Sequence, residues 1–247
     1  MPHRRTPGWK PSGWALVLLS MGVNQLAACA GPAWLQPADS LPPGQSEVTA
    51  GLTHRFAGHG ESLRRLHSTP GHLRRPHGEH TTAPWLALRH GFTHHLEGRA
   101  FYGGSGGGIG LRAVTREQRW ALSGGAELAY LHVPDPAAEL ETARGLSVGV
   151  PVVGGWHSRA ELVSVWFGGR ARYEALWAEA TAEALDDVQL QHLAAGPLFG
   201  LAVGMMPIWV RLELAMEFDL FWLEHDAARR RAHGISWLPA AAVAVRF

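Results

Sequence analysis

A histidine- and arginine-rich stretch, residues 59–80, holds the densest group of side chains that could do chemistry. Its sequence LRRLH at 63–67 recurs as LRRPH at 73–77, so that Arg64, Arg65 and His67 are repeated as Arg74, Arg75 and His77. Neutral imidazoles bind zinc, copper or nickel, and arginine pairs bind phosphate groups. The histidines are irregularly spaced among glycines and prolines, which favours a solvated surface loop. Contact with lipopolysaccharide phosphates is one alternative and metal binding another.

A second set of charged residues has a regular spacing. Within Trp209–Trp222, alternate positions hold Arg211, Glu213, Glu217 and Asp219, and the positions between them are all apolar. A period of two is typical of a β-strand, because successive side chains point to opposite faces. The stretch is also long enough for a tilted strand to cross a bilayer, which takes roughly 9–11 residues. We interpret it as a membrane-spanning strand.

Nine further segments show the same alternation. The ten predicted strands are residues 47–56, 85–92, 96–102, 109–114, 120–130, 146–156, 161–173, 192–205, 209–222 and 235–247. The connections after odd strands are mostly long and those after even strands are short, as in membrane barrels with short periplasmic turns and longer outer loops. The pattern resembles the bacterial outer-membrane β-barrel superfamily over residues 47–247. It predicts an all-β fold, a closed antiparallel transmembrane β-barrel of about ten strands in an up-and-down meander. Residues 174–190, rich in Ala, Leu and Glu, predict a short helix at its mouth.

The polar faces of these strands are predicted to fill the lumen with charge. The inward-facing set is Arg55, Arg89, Glu97, Arg99, Arg112, Glu127, Arg170, Arg172, Arg211, Glu213, Glu217 and Asp219. Pairing between guanidinium and carboxylate groups makes buried charge tolerable. Ten strands enclose an interior only a little wider than one that side chains fill. The prediction is a braced lumen, with a narrow conduit or ligand pocket as the alternative. A soluble lipid-tethered barrel would instead turn its apolar faces inward.

The N-terminus predicts export and an anchor. Arg4, Arg5 and Lys10 precede an apolar run that ends at residue 28, which is typical of a secretory signal peptide. The run closes on LAAC at 26–29, which resembles the lipobox of bacterial lipoproteins. That resemblance implies cleavage before Cys29 and a diacylglycerol anchor on its sulfur, worth about 0.8 kcal/mol per buried methylene. Residues 1–28 are therefore the predicted signal peptide, and residues 29–46, with four prolines, a flexible tether.

Two barrel enzyme families provide a comparison for catalysis. Omptin proteases carry carboxylate and His-Asp groups at the outer rim, and Glu224-His225-Asp226 falls there without a matching aspartate pair beside it. Lipid A deacylases use a His and a Ser two residues apart with a Glu, whereas His157 and Ser158 are adjacent. Neither signature is complete, so no catalytic residue and no cofactor are predicted.

The predicted function follows from this architecture. The chain is expected to be a lipid-anchored outer-membrane barrel of a Gram-negative bacterium with a structural or surface-interaction role. The alternatives are a narrow channel for small solutes and a barrel enzyme. Phe247, preceded at alternate positions by Val245 and Val243, resembles the terminal signature read by the outer-membrane assembly machinery. The other expected partner is membrane lipid, including lipopolysaccharide. A formal charge of +1 gives no reason to expect nucleic acid.

Overall fold

The chain forms a closed barrel of ten antiparallel strands in which each strand pairs with its neighbours in sequence and β1 pairs with β10. The computed structural model describes residues 34–57, 80–103, 106–133, 143–158, 162–178, 188–225 and 228–247. The strands are β1 Ser46–Ala57, β2 His80–Gly91, β3 Leu96–Gly103, β4 Gly106–Glu117, β5 Trp120–Val133, β6 Ala143–His157, β7 Val163–Ala178, β8 Val188–Met205, β9 Ile208–His225 and β10 Ala228–Arg246. This confirms the predicted fold class.

The two ends of the barrel differ. We call the end where β1 begins and β10 finishes the proximal rim, and the opposite end the distal rim. The turns after β2, β4, β6 and β8 lie at the proximal rim, and the turns after β4 and β8 are only two residues long. Strand length grows around the barrel, from 8 residues in β3 to 19 in β10. The later hairpins therefore extend farther toward the distal rim.

The predicted helix at residues 174–190 is wrong where the structure describes it. Residues 174–178 continue β7, and residues 188–190 belong to β8. Glu174 pairs across the sheet with Ser147 on one side and His192 on the other. These two neighbouring strands satisfy the backbone hydrogen bonds, so the sheet outweighs the weak helical preference of the composition. Residues 106–108, predicted as a turn, likewise lie in β4 and pair with β3 and β5.

The two faces of each strand are chemically opposite, and the polar face points inward. On β9 the inward side chains Arg211, Glu213, Glu217 and Asp219 are each at most 4% exposed. On the outward face, Ile208, Val210, Leu212, Leu214, Phe218 and Leu220 are each 44–52% exposed, and Met216 is half-buried. At a rise of about 3.4 Å per residue and a tilt of about 40°, this band is roughly 30 Å tall, enough to cover a bilayer core. The alternative of a soluble barrel with an apolar interior is therefore wrong. In the described segments no helix is long and apolar enough to span a membrane.

Part of the predicted flexible tether at residues 29–46 is buried inside the barrel. Residues 34–41, which we call the N-terminal segment, run inside the barrel, and Trp34, Leu35, Gln36, Ala38 and Leu41 are all at most 4% exposed. The chain then turns at Pro42–Gln45, where Gly44 donates to the carbonyl of Gly91 and has a positive φ of 78°. The barrel interior thus contains part of its own chain.

Candidate functional site

Glu47, at the start of β1, is the centre of a buried ion-pair network near the proximal rim. Its Oε1 accepts hydrogen bonds from Nη1 of Arg89 at 2.9 Å and from Nη1 of Arg211 at 2.7 Å, and its Oε2 accepts from Nη2 of Arg211 at 2.6 Å. The Glu47 side chain is fully buried. One carboxylate therefore joins β1, β2 and β9 across the lumen.

Glu97 extends this network to β3 and β4. Arg89 donates to both of its carboxylate oxygens, from Nε and Nη2, each at 2.7 Å. Arg112 donates to the same carboxylate from Nη2, with its shorter contact at 3.1 Å. We call Glu47, Arg89, Glu97, Arg112 and Arg211 the proximal network. Bidentate pairing of this kind fixes geometry as well as adding energy.

The N-terminal segment is held to two lumen carboxylates through its backbone N–H groups. Trp34 and Leu35 donate to the two oxygens of Glu213, at 2.8 and 2.7 Å, and Leu41 donates to Glu97 at 3.1 Å. Nε1 of Trp166 also donates to Glu213, at 3.3 Å. Thus Glu213 is satisfied by backbone and indole donors.

Lumen arginines hold the carbonyl groups of the same segment. Arg112 donates to the carbonyls of Pro37 and Asp39, at 2.5 and 2.9 Å, and Arg211 donates to the carbonyl of Leu35 at 3.3 Å. Charged groups of both signs therefore satisfy an irregular backbone that would otherwise be buried without partners. This arrangement lets an eight-residue piece of chain without secondary structure sit inside the barrel.

Trp34 is the largest apolar side chain of the segment. It packs with Val114, Val153, Trp166 and Leu198 in one buried cluster. The guanidinium of Arg99 lies 5.1 Å from its ring centroid, at cation–π distance. Leu35 occupies a second cluster with Trp85 and Phe101. The segment therefore contacts both charged and apolar parts of the lumen wall.

A second network closes the distal half of the lumen around Asp219. Its Oδ1 accepts from Nη2 of Arg55 and contacts Nε2 of His192, both at 2.8 Å, and its Oδ2 accepts from the hydroxyl of Ser236. The other ring nitrogen of His192, Nδ1, lies 2.8 Å from Glu174. Arg55 also donates to Ser236 through Nε. The imidazole on β8 thereby bridges carboxylates from the two strands that flank it, β7 and β9.

The remaining predicted lumen charges complete these pairs. Arg170 donates to Glu217 at 2.7 Å, and Arg172 lies 3.4 Å from both Glu217 and Glu174. Arg99 pairs with Glu127 at 2.8 Å. We call Arg55, Arg170, Arg172, Glu174, His192, Glu217 and Asp219 the distal network. All seven predicted lumen arginines thus have a carboxylate within ion-pair distance.

Three lumen groups were missed by sequence reasoning. Glu47 shares the inward parity of Arg55, four strand periods away, so the alternation already placed it in the lumen. Glu174 was placed in the predicted helix instead of β7. His192 has the inward parity of Ala194 in β8, and that parity was the available signal. The parity of a strand therefore identifies lumen residues once its true ends are known.

The other candidate sites show no assembled centre where they are described. Among the described residues there is no group of three or more metal-ligating side chains. The ring of His157 contacts Arg116 and the carbonyl of Arg119, and the hydroxyl of Ser158 accepts from the Val163 amide. Cys29, residues 1–28, Asp226 and the surface set Arg64, Arg65, His67, Arg74, Arg75 and His77 lie outside the described residues.

Fold and lumen together define a class, a transmembrane β-barrel whose interior is occupied by ion pairs and by its own N-terminal segment. No family model matches the chain, and no curated protein matches it. Solved structures with similar folds include Neisserial surface protein A (13% identity, 83% of this chain, 99% of that chain, TM-score 0.39). Another is OprG of Pseudomonas aeruginosa (8% identity, 86% of this chain, 99% of that chain, TM-score 0.43). A third is the outer membrane protease OmpT of Escherichia coli (6% identity, 85% of this chain, 100% of that chain, TM-score 0.44). At these values the likeness assigns neither ligand nor activity.

Proposed function

We propose that this chain is a lipid-anchored outer-membrane β-barrel of a Gram-negative envelope, with a closed lumen and a structural or surface-interaction role. The observation that carries the proposal is the occupied interior inside an apolar exterior. The proximal half of the lumen holds the N-terminal segment and its network, and the distal half holds the distal network. Between that network and the distal rim, four apolar side chains are each at most 2% exposed: Leu176, Leu190, Phe221 and Leu223. A barrel filled in this way serves as a rigid platform in the membrane.

The ends of the barrel support an orientation in the membrane. Three connections at the distal rim, those after β1, β5 and β7, are longer than any of the four proximal turns, as outer loops are longer than periplasmic turns in membrane barrels. We therefore propose that the distal rim faces the cell exterior. The proposed partners are outer-membrane lipid, including lipopolysaccharide, and the assembly machinery that reads a terminal Phe247. In this barrel Phe247 exchanges two backbone hydrogen bonds with Ser46 at the junction of β1 and β10.

Metabolic labelling tests the anchor and the location together. Cells that express the chain are grown in medium that contains radiolabelled palmitate. The wild type is expected to incorporate label and Cys29→Ser is not, because Cys29 carries the only thiol of the sequence. The labelled protein is expected in the outer-membrane fraction. Ser158→Ala is the control and should label like the wild type. Equal labelling of wild type and Cys29→Ser would refute the anchor, and recovery in the soluble fraction would refute the membrane location.

Particular contacts argue against the two alternatives, a narrow channel and a barrel enzyme. A narrow channel for solutes needs a continuous path through a lumen whose two halves are both occupied. An omptin-like or deacylase-like enzyme needs an assembled catalytic set, and the ring nitrogens of His157 are engaged by Arg116 and Arg119 instead of Ser158. We propose no catalytic role for the lumen charges, because each is engaged in bracing the barrel.

A further inference from the structure

The outward faces of two strands carry an arginine at the distal edge of the apolar band. On β6 the exposed outward residues Val150, Val148 and Leu146 are followed toward the distal rim by Arg144. On β10 the exposed Ile235 is followed by His233 and then by Arg231. Both arginines are exposed. With the apolar band in the bilayer core, both arginines lie at the level at which lipid headgroups meet the acyl chains.

Each arginine has a tryptophan as its direct cross-strand neighbour. Arg144 pairs with Trp177 of β7 on one side and with His132 of β5 on the other. Arg231 pairs with Trp222 of β9. Directly opposite residues have Cβ atoms about 4.5–5.5 Å apart, so a guanidinium can lie beside the indole and still extend outward. Three strands lie between β6, which carries Arg144, and β10, which carries Arg231, and β8 separates the arginine–tryptophan row on β6 and β7 from the row on β9 and β10.

These arginines differ from those of the lumen in having no acceptor among the residues that the structure describes. Every predicted lumen arginine is ion-paired, whereas no ion pair or side-chain hydrogen bond joins Arg144 or Arg231 to any part of the chain that the structure describes. Glu224 lies two residues beyond Trp222 and has a contact of its own, but it is not paired with Arg231. A guanidinium at the edge of an apolar band therefore presents its donors outward.

We propose that Arg144 and Arg231, each beside its tryptophan, form two binding sites for the phosphate groups of lipopolysaccharide in the outer leaflet. The guanidinium fork matches a phosphate in bidentate geometry, and tryptophan is enriched where headgroups begin. This inference rests on the proposed outer-membrane location, which makes phosphorylated glycolipid the lipid that meets the distal edge. The apolar outward residues below each arginine would contact the acyl chains of the same molecule.

Counting retained lipid molecules tests the proposal. The full-length protein, purified in neutral detergent with excess phosphatidylcholine, is titrated with lipopolysaccharide and examined by native mass spectrometry. At a lipopolysaccharide concentration about three times the wild-type dissociation constant, wild type should mostly retain two molecules, Arg144→Gln and Arg231→Gln mostly one, and the double variant mostly none. Each lost arginine should weaken its own site roughly tenfold, the size of a charge-assisted hydrogen bond. Arg119→Gln, in a proximal turn, is the matched control and should retain two.

Further arms identify the source of the phosphate. Lipopolysaccharide stripped of its phosphates should not be retained, and phosphatidylglycerol should be retained no better by wild type than by the double variant. Equal retention of lipopolysaccharide by wild type and by the double variant, with heat-modifiable gel mobility showing both folded, would overturn the proposal. So would selective, arginine-dependent retention of phosphatidylglycerol. Because the assay uses purified protein, unlabelled Cys29 or a conducting lumen would refute the proposed function and leave this result unaffected.

Discussion

Replacing Glu47 by glutamine is expected to lower the free energy of unfolding of the barrel by about 3–5 kcal/mol, the cost of breaking a buried ion pair from one side. Glutamine keeps the shape of the side chain, so the loss isolates the charge. Arg89 and Arg211, both at most 1% exposed, would lose a carboxylate that now lies within 2.9 Å of each. The measurement is urea unfolding of the protein refolded into lipid vesicles, followed by circular dichroism.

Glu117→Gln is the matched control for this experiment. Glu117 ends β4 at the proximal rim and is exposed, so its replacement should change the unfolding free energy by less than about 0.5 kcal/mol. If Glu47→Gln were as mild as Glu117→Gln, Glu47 could not be the buried carboxylate that neutralises two arginines. The proximal network would then have to be neutralised in some other way.

Replacing Trp34 by alanine is expected to cost about 3–5 kcal/mol of unfolding free energy, as for large aromatic side chains removed from a core. The ring is 4% exposed and packs with Val153 and Trp166, so its removal leaves a cavity inside the barrel. The cation–π contact with Arg99 would be lost as well. The backbone N–H that Trp34 donates to Glu213 would be retained, because alanine also has it. Urea unfolding in lipid vesicles measures the loss.

Trp120→Ala serves as the control for Trp34. Trp120 is 57% exposed on the outer face of β5, where lipid can fill the space that its ring leaves. Its replacement should therefore cost less than half as much. Equal losses for the two variants would show that Trp34 is not packed in the lumen, and that the N-terminal segment is the flexible tether that its prolines first indicated.

The alternation of side chains was sufficient to predict the barrel. Period two is a direct consequence of strand geometry, so each charged residue between apolar neighbours, such as Arg211 and Glu213, could be placed in the lumen without knowing its partner. The pairs themselves could not be predicted. Glu47 meets Arg211 across 164 positions of sequence, and that distance depends on how ten strands close on one another.

The N-terminal segment and two members of the distal network, Glu174 and His192, were missed for a different reason. Proline-containing chain without periodicity has no local signal that distinguishes a tether from a plug; the difference lies in the donors and acceptors that the lumen offers to its backbone. For Glu174 the composition favoured a helix, and only pairing with Ser147 and His192 keeps that residue in a strand. Local preference is weak where neighbouring strands supply every backbone hydrogen bond.

Single-channel recording in planar bilayers tests the closed lumen most directly. The full-length protein should insert, as judged by recovery of folded protein from the same bilayer lipid, and should show no steady ohmic current steps. We propose that the N-terminal segment and the two networks together close the path between the rims. Steady, reproducible steps that scale linearly with voltage would contradict the account, because they require an open bore along the barrel axis.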